Sequence, residues 1–128
     1  MTKRAVVIED MEIVARALST ILNLEGFDQV EVVTDSRYAV EAIRILDPDL
    51  VVLDIRMPHV TGVQVIEGIG PRRDGRPGVL IYTATPQDEV DKALRASGLV
   101  YDAFLSKPAG LPEMKRAVRK ALSRVEPA

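Results

Sequence analysis

The chain reads as an α/β protein, a parallel sheet covered by helices on both faces. Three observations carry that expectation. Short aliphatic runs rich in Val, Ile and Leu recur along the 128 residues, and unbroken runs of this kind fit strands buried on both faces. Amphipathic segments with apolar residues at helical spacing lie between them. The alternation persists through the whole chain, and parallel neighbours need crossover connections of this kind, which are right-handed.

Ala5-Val6-Val7-Ile8 is the first strand and ends on Glu9 and Asp10. The helix that follows carries Ile13, Val14, Ala17, Leu18, Ile21 and Leu22 as one apolar stripe, and Gly26 closes it. Val30-Glu31-Val32-Val33 is a more polar strand, hence nearer a sheet edge. A second helix over about 36–46 turns Ala39, Val40, Ile43 and Leu46 inward, with Pro48 just beyond. Leu50-Val51-Val52-Leu53 is the third strand; it ends abruptly on Asp54, and Pro58 stops any regular ladder.

Thr61 and Gln64 have the spacing of a capping box and open a short, glycine-rich third helix. Residues 71–78, with Arg72, Arg73, Asp74 and Arg76, read as a solvated turn. Val79-Leu80-Ile81-Tyr82-Thr83 is the fourth strand. Thr85 as cap, Pro86 at the first helical position and Asp88 in the first turn then start helix four. Ala103-Phe104-Leu105-Ser106 is the fifth strand and ends at Lys107-Pro108. The last helix buries Leu111, Met114, Val118, Ala121, Leu122 and Val125 and exposes Lys115, Arg116, Arg119, Lys120 and Arg124. Five strands joined in this way predict a flavodoxin-like (βα)5 fold with strand order 2-1-3-4-5. It is expected to form one domain over residues 1–128, with a core at about 3–125.

Composition narrows the function. With 47% hydrophobic residues the chain is large enough to bury a sizeable core. A net charge of −2 leaves no bulk electrostatic footprint for direct nucleic-acid binding. Cysteine is absent, which removes disulfides and thiolate metal sites and agrees with a reducing compartment. Only four apolar residues follow Met1-Thr2-Lys3-Arg4 before Glu9, too few for a signal peptide. No apolar run approaches the roughly 20 residues that span a bilayer, so a cytoplasmic protein without membrane contact is expected.

In open α/β sheets ligands gather beyond the carboxyl ends of the strands. Those ends carry Glu9 and Asp10, Asp54, Thr83 and Lys107. Acids so close repel one another unless a cation joins them. Oxygen ligands without His or Cys suit a hard ion such as Mg²⁺, which keeps several waters and uses few carboxylates. A carboxylate beside such an ion is a competent nucleophile toward phosphorus. Phosphoryl transfer then needs mainly positioning and charge neutralisation, which the ion, Lys107 and the Thr83 hydroxyl supply. Individually these residues have plainer roles, Asp10 as a helix cap, Thr83 as a strand former and Lys107 as a surface charge.

Glu9-Asp10, Asp54-Ile55-Arg56-Met57-Pro58, Thr83-Ala84 and Lys107-Pro108 resemble the receiver domain of two-component response regulators, over essentially the whole chain. The resemblance implies that Asp54 is the phosphoacceptor. It implies that Asp10, Asp54 and the Arg56 carbonyl hold Mg²⁺ (Mn²⁺ would also serve), with Glu9 acting through water. It implies that Lys107 pairs with the phosphoryl group beside a cis bond to Pro108, and that Thr83 and Phe104 are the switch pair. The donor would be a histidine kinase or phosphotransfer protein. The output would pass to a downstream protein or effector domain, or to a homodimer, through the helix 4–strand 5–helix 5 face. Such a domain modifies and demodifies itself and is not a turnover enzyme.

The chain also departs from the family pattern. Glu9 stands where Asp is more usual, Thr61 replaces the acid usual before Gly62, and Ala109 replaces an aromatic. The segment 98–104 is about two residues longer than usual, and Phe104 lacks a hydroxyl. His59, the sole histidine, reads as solvated. A flavodoxin would need phosphate-binding hydroxyls after strand one, where this chain has acids. No Gly-x-Gly-x-x-Gly or Walker pattern occurs. A dehalogenase-type phosphatase would need a second Asp at the position of Arg56. A receiver-like interaction module independent of phosphorylation is the alternative. Only three residues follow Val125, so a stand-alone receiver or the receiver part of a longer regulator is expected.

Overall fold

Strands β1 (Arg4–Ile8), β2 (Gln29–Val33), β3 (Leu50–Leu53), β4 (Gly78–Thr83) and β5 (Ala103–Ser106) form one sheet in the order β2-β1-β3-β4-β5. Every neighbouring pair is parallel, as expected from the alternation. The helices are α1 (Glu12–Leu24), α2 (Ala39–Leu46, entered through a 3-10 turn at Ser36–Tyr38), α3 (Gly62–Ile69), α4 (Gln87–Ala96) and α5 (Leu111–Leu122). This computed structural model describes residues 2–125; residue 1 and residues 126–128, which the single-domain reading also covers, lie outside the described residues.

Successive strand residues face opposite sides, so the sheet feeds two cores. Val7, Val52 and Leu80 meet Leu18 and Leu22 of α1 and Met114 and Val118 of α5. Val6, Val51 and Ile81 meet Ile43 of α2, Val65 and Ile66 of α3, and Val90 and Leu94 of α4. Each such side chain contributes roughly 1.5–3 kcal/mol by leaving water. β1, β3 and β4 are buried almost throughout, whereas β2 alternates exposed and half-buried positions at the edge, as its polar sequence predicts. No helix among the described residues is long and apolar enough to cross a membrane.

Several local expectations are corrected. Ile13 is 84% exposed and Ala17 points outward, while Ala15, Leu18 and Leu22 form the buried stripe. At 3.6 residues per turn, Ile13 lies roughly 160° around the helix from Ala15, so it cannot share that stripe. In α5, Leu111 is 45% exposed, Ala117 takes a buried place, and Val125 lies beyond the helix end. Pro86, not Thr85, is the N-cap of α4; Thr85 is buried, and its N–H donates to Thr83 Oγ1 at 3.2 Å. The capping box at Thr61 forms as expected: Gln64 N–H donates to the Thr61 hydroxyl at 3.2 Å and Thr61 N–H to Gln64 Oε1 at 2.9 Å. The 71–78 segment is not a merely solvated turn. Arg72 is paired with the buried Asp102 and donates to the Val100 carbonyl at 3.2 Å.

Candidate functional site

Register assembles the acidic pole. Ile8 pairs with both Val33 and Leu53, so the residues just after β1 and β3 lie side by side. Glu9 N–H still donates to the Val33 carbonyl at 3.1 Å and Asp54 N–H to the Ile8 carbonyl at 3.3 Å, which fixes both backbones. Lys107 N–H donates to the Thr83 carbonyl at 2.9 Å and brings the end of β5 to the same edge. The peptide bond after Lys107 is cis, matching the expectation for Pro108. Gly62 packs under the phosphoacceptor candidate: a Cβ there would come within 2.4 Å of the Asp54 carbonyl oxygen.

The side chains converge accordingly. Lys107 Nζ donates to Glu9 Oε2 at 2.8 Å and to Asp54 Oδ2 at 2.7 Å. The other Asp54 oxygen, Oδ1, accepts from the Thr83 hydroxyl at 2.5 Å and from Ile55 N–H at 2.7 Å. Glu9, Asp54 and Thr83 are buried, whereas Asp10 is exposed. Lys107 also lies 5.6 Å from the centroid of the Tyr82 ring. Burial pushes the Glu9 carboxyl above its ordinary value of 4.5, and the nearby Asp54 charge adds to this, outweighing the opposing Lys107 ammonium. Burial pulls the Lys107 ammonium down, but its bonds to Asp54 and Glu9 outweigh that and leave it above 10.5.

Carboxylate oxygens of Glu9, Asp10 and Asp54 lie within 4.8 Å of one another. An all-oxygen donor set of this charge fits a hard divalent cation. The Arg56 side chain points outward, 3.6 Å from Glu89 Oε2 on α4, with both groups well exposed. Phe104 is half-buried against the α2–α3–α4 core. His59 is exposed, in accord with its reading as a solvated residue.

Tyr101 was not singled out from sequence. Its ring centroid lies 6.1 Å from that of Phe104, and its hydroxyl donates to Asp91 Oδ1 at 2.5 Å and accepts from Gln87 Nε2 at 2.9 Å. The available signal was an aromatic residue inside the 98–104 segment.

A family model described as "Response regulator receiver domain" matches residues 5–119. Over 122 residues, 95% of the chain, it is 30% identical to the transcriptional regulatory protein PdtaR of Mycobacterium tuberculosis, covering 58% of that protein. Over 126 residues, 98% of the chain, it is 34% identical to the DNA-binding response regulator MtrA of Mycolicibacterium smegmatis, covering 53%. The chain thus spans little more than half the length of these relatives. Among solved structures, chemotaxis response regulator CheY4 of Vibrio cholerae superposes with a TM-score of 0.81 at 20% identity, over 95% of this chain and 100% of that one. The CheX–CheY–BeF3–Mg complex of Borrelia burgdorferi gives 0.77 at 23% identity, over 91% and 87%. At these identities the structural likeness concerns the fold.

Proposed function

This chain belongs to the response regulator receiver domain family of two-component signalling, and from that membership we propose that it accepts a phosphoryl group on Asp54. The observation that carries the reading is the bracketing of one carboxylate: Lys107 on Asp54 Oδ2 and Thr83 on Oδ1, at 2.7 and 2.5 Å. A carboxylate oxygen of Asp54 attacks phosphorus of a phosphohistidine in line. The new O–P bond forms as the P–N bond breaks, and the imidazole nitrogen leaves with the electron pair. Lys107 neutralises a phosphoryl oxygen and the Thr83 hydroxyl donates to another. Mg²⁺ or Mn²⁺, held by Glu9, Asp10, Asp54 and the Arg56 carbonyl, would supply further charge neutralisation.

The donor is a histidine kinase or phosphotransfer protein. Because the phosphoryl group stays on the chain until water removes it, the domain is a self-modifying switch, not a turnover enzyme. Thr83 and Phe104 relay the change to the face built from α4, β5 and α5, which meets a downstream protein, an effector domain or a second copy. The domain occupies residues 1–128 and works in the cytoplasm without contacting nucleic acid or membrane itself.

Intact mass after treatment with Mg²⁺ and acetyl phosphate tests the assignment. One added phosphoryl group is expected on the wild type and none on Asp54→Asn. Equal labelling of both, or no labelling of either, overturns it.

A further inference from the structure

At the opposite end of the sheet from Asp54, the entry to β4 carries a charged feature that phosphoryl transfer does not use. Arg73 and Arg76 donate backbone N–H groups to each other's carbonyls at 3.2 and 2.8 Å. Between them Asp74 and Gly75 have φ of 53° and 76°. Two central residues with positive φ are the mark of a type I′ hairpin turn, for which Asp-Gly is a favoured sequence. Directly opposed residues of a hairpin send their side chains to the same face. The Arg73 and Arg76 side chains thereby leave the hairpin on one face.

The hairpin is preformed. Arg72 anchors it to Asp102, and Gly75 lies so close to the end of α5 that a Cβ would come within 1.9 Å of the Arg124 carbonyl oxygen. Arg76 Nε pairs with Asp49 Oδ1 at 3.6 Å, too far for a hydrogen bond, and is buried without a hydrogen-bond partner. Arg44 of α2 joins Arg73 and Arg76 around a cleft of about 430 Å³. Among the described residues neither Arg44 nor Arg73 forms an ion pair. Asp47 is the one carboxylate in the lining, and Ile69, Pro71 and Pro77 give a stiff apolar wall.

We infer that this cleft binds a small organic phosphate monoester. Guanidinium groups present paired, planar donors matched to phosphate oxygens. With Asp47 in the lining and Asp49 beside Arg76, the three guanidinium groups still leave an excess of positive charge that attracts a phosphate group. The volume falls within the range of small-molecule sites, and the apolar wall accommodates the organic body. The site stands apart from Asp54 and does not depend on phosphorylation there.

Amide chemical shifts of the full chain, followed at constant ionic strength during titration with adenosine monophosphate, glucose 6-phosphate or inorganic phosphate, test the inference. Saturable shifts are expected over residues 43–48 and 69–77 with the two esters. Arg44 and Arg73 are both exposed, so the Arg44→Ser/Arg73→Ser variant keeps its fold. Its ester affinity is expected to fall by about tenfold or more. Shifts that do not saturate, undiminished binding by the variant, or shifts confined to the Asp54–Lys107 end overturn the site. Saturation by inorganic phosphate alone overturns the ester assignment.

Discussion

A single ammonium, Lys107 Nζ, holds two buried carboxylates together, while the exposed Asp10 lies outside its reach. That asymmetry has a pH consequence. Glu9 titrates above 4.5 because burial disfavours its charged form. A raised folded-state pKa on an acid means that the folded chain holds the proton more tightly than the unfolded one. The Glu9 contribution to stability is therefore full below 4.5 and is lost as pH rises through the folded value. Lys107 behaves differently: raised above 10.5, its contribution persists until the pH passes its folded value, so it adds no slope in the acid range. In metal-free buffer, Glu9→Gln is expected to flatten the decline of melting temperature just above pH 4.5. A variant whose melting temperature follows the wild-type slope would assign that slope to another group.

At the scale of elements, the β3–α3 connection is tightly fitted against the site. Gly62 is the first residue of α3, and an added Cβ would meet the Asp54 carbonyl at 2.4 Å, Leu53 Cδ1 at 2.8 Å and Ile55 Cα at 2.9 Å. Two of these three are backbone atoms, which move only by shifting the strand end that carries Asp54. Gly62→Ala is thus expected to cost about 1–3 kcal/mol in urea unfolding, the usual range for overpacking. Labelling by acetyl phosphate should slow in the same variant, since Asp54 is displaced with its backbone. Unchanged stability would mean that the connection yields more easily than its contacts imply. Across the sheet, Tyr101 ties the segment before β5 to α4 through Asp91 and Gln87 while its ring touches Phe104. Any movement of the Phe104 ring would therefore bear on α4 through an aromatic contact as well as through the core.

Over the whole molecule, charge is divided between helices on opposite faces of the sheet. α4 carries Asp88, Glu89 and Asp91, while α5 carries Arg116, Arg119 and Lys120. Some of these charges are engaged within the chain: Glu89 lies 3.6 Å from Arg56, and Arg119 lies 3.6 Å from Glu25. The exposed Arg56–Glu89 pair contributes little, so it remains free to exchange partners. A two-fold contact would set α4 of one copy against α5 of the other. Sedimentation of the wild type with Mg²⁺ and beryllofluoride is expected to shift toward a dimer that salt weakens, and Arg116→Glu/Lys120→Glu to stay monomeric. A wild type that remains monomeric at high concentration would make a different protein the partner of this face.

The strand order and the meeting of Glu9, Asp54, Thr83 and Lys107 were legible in the sequence, because parallel register aligns strand ends and each end carries its own polar residue. Helix orientation was less legible. Ile13 and Leu111 are apolar, and only the packed sheet decides that they face outward while Ala15 and Ala117 face in. The Asp74-Gly75 turn had a local signal, but its consequence did not. Arg44 comes from a helix nearly thirty residues earlier, and nothing in its own surroundings announces that it will share a cleft with Arg73 and Arg76. Local pattern determined which residues lie at the sheet's carboxyl edge; contacts between distant segments, which depend on loop geometry and side-chain direction, were settled by the tertiary structure alone.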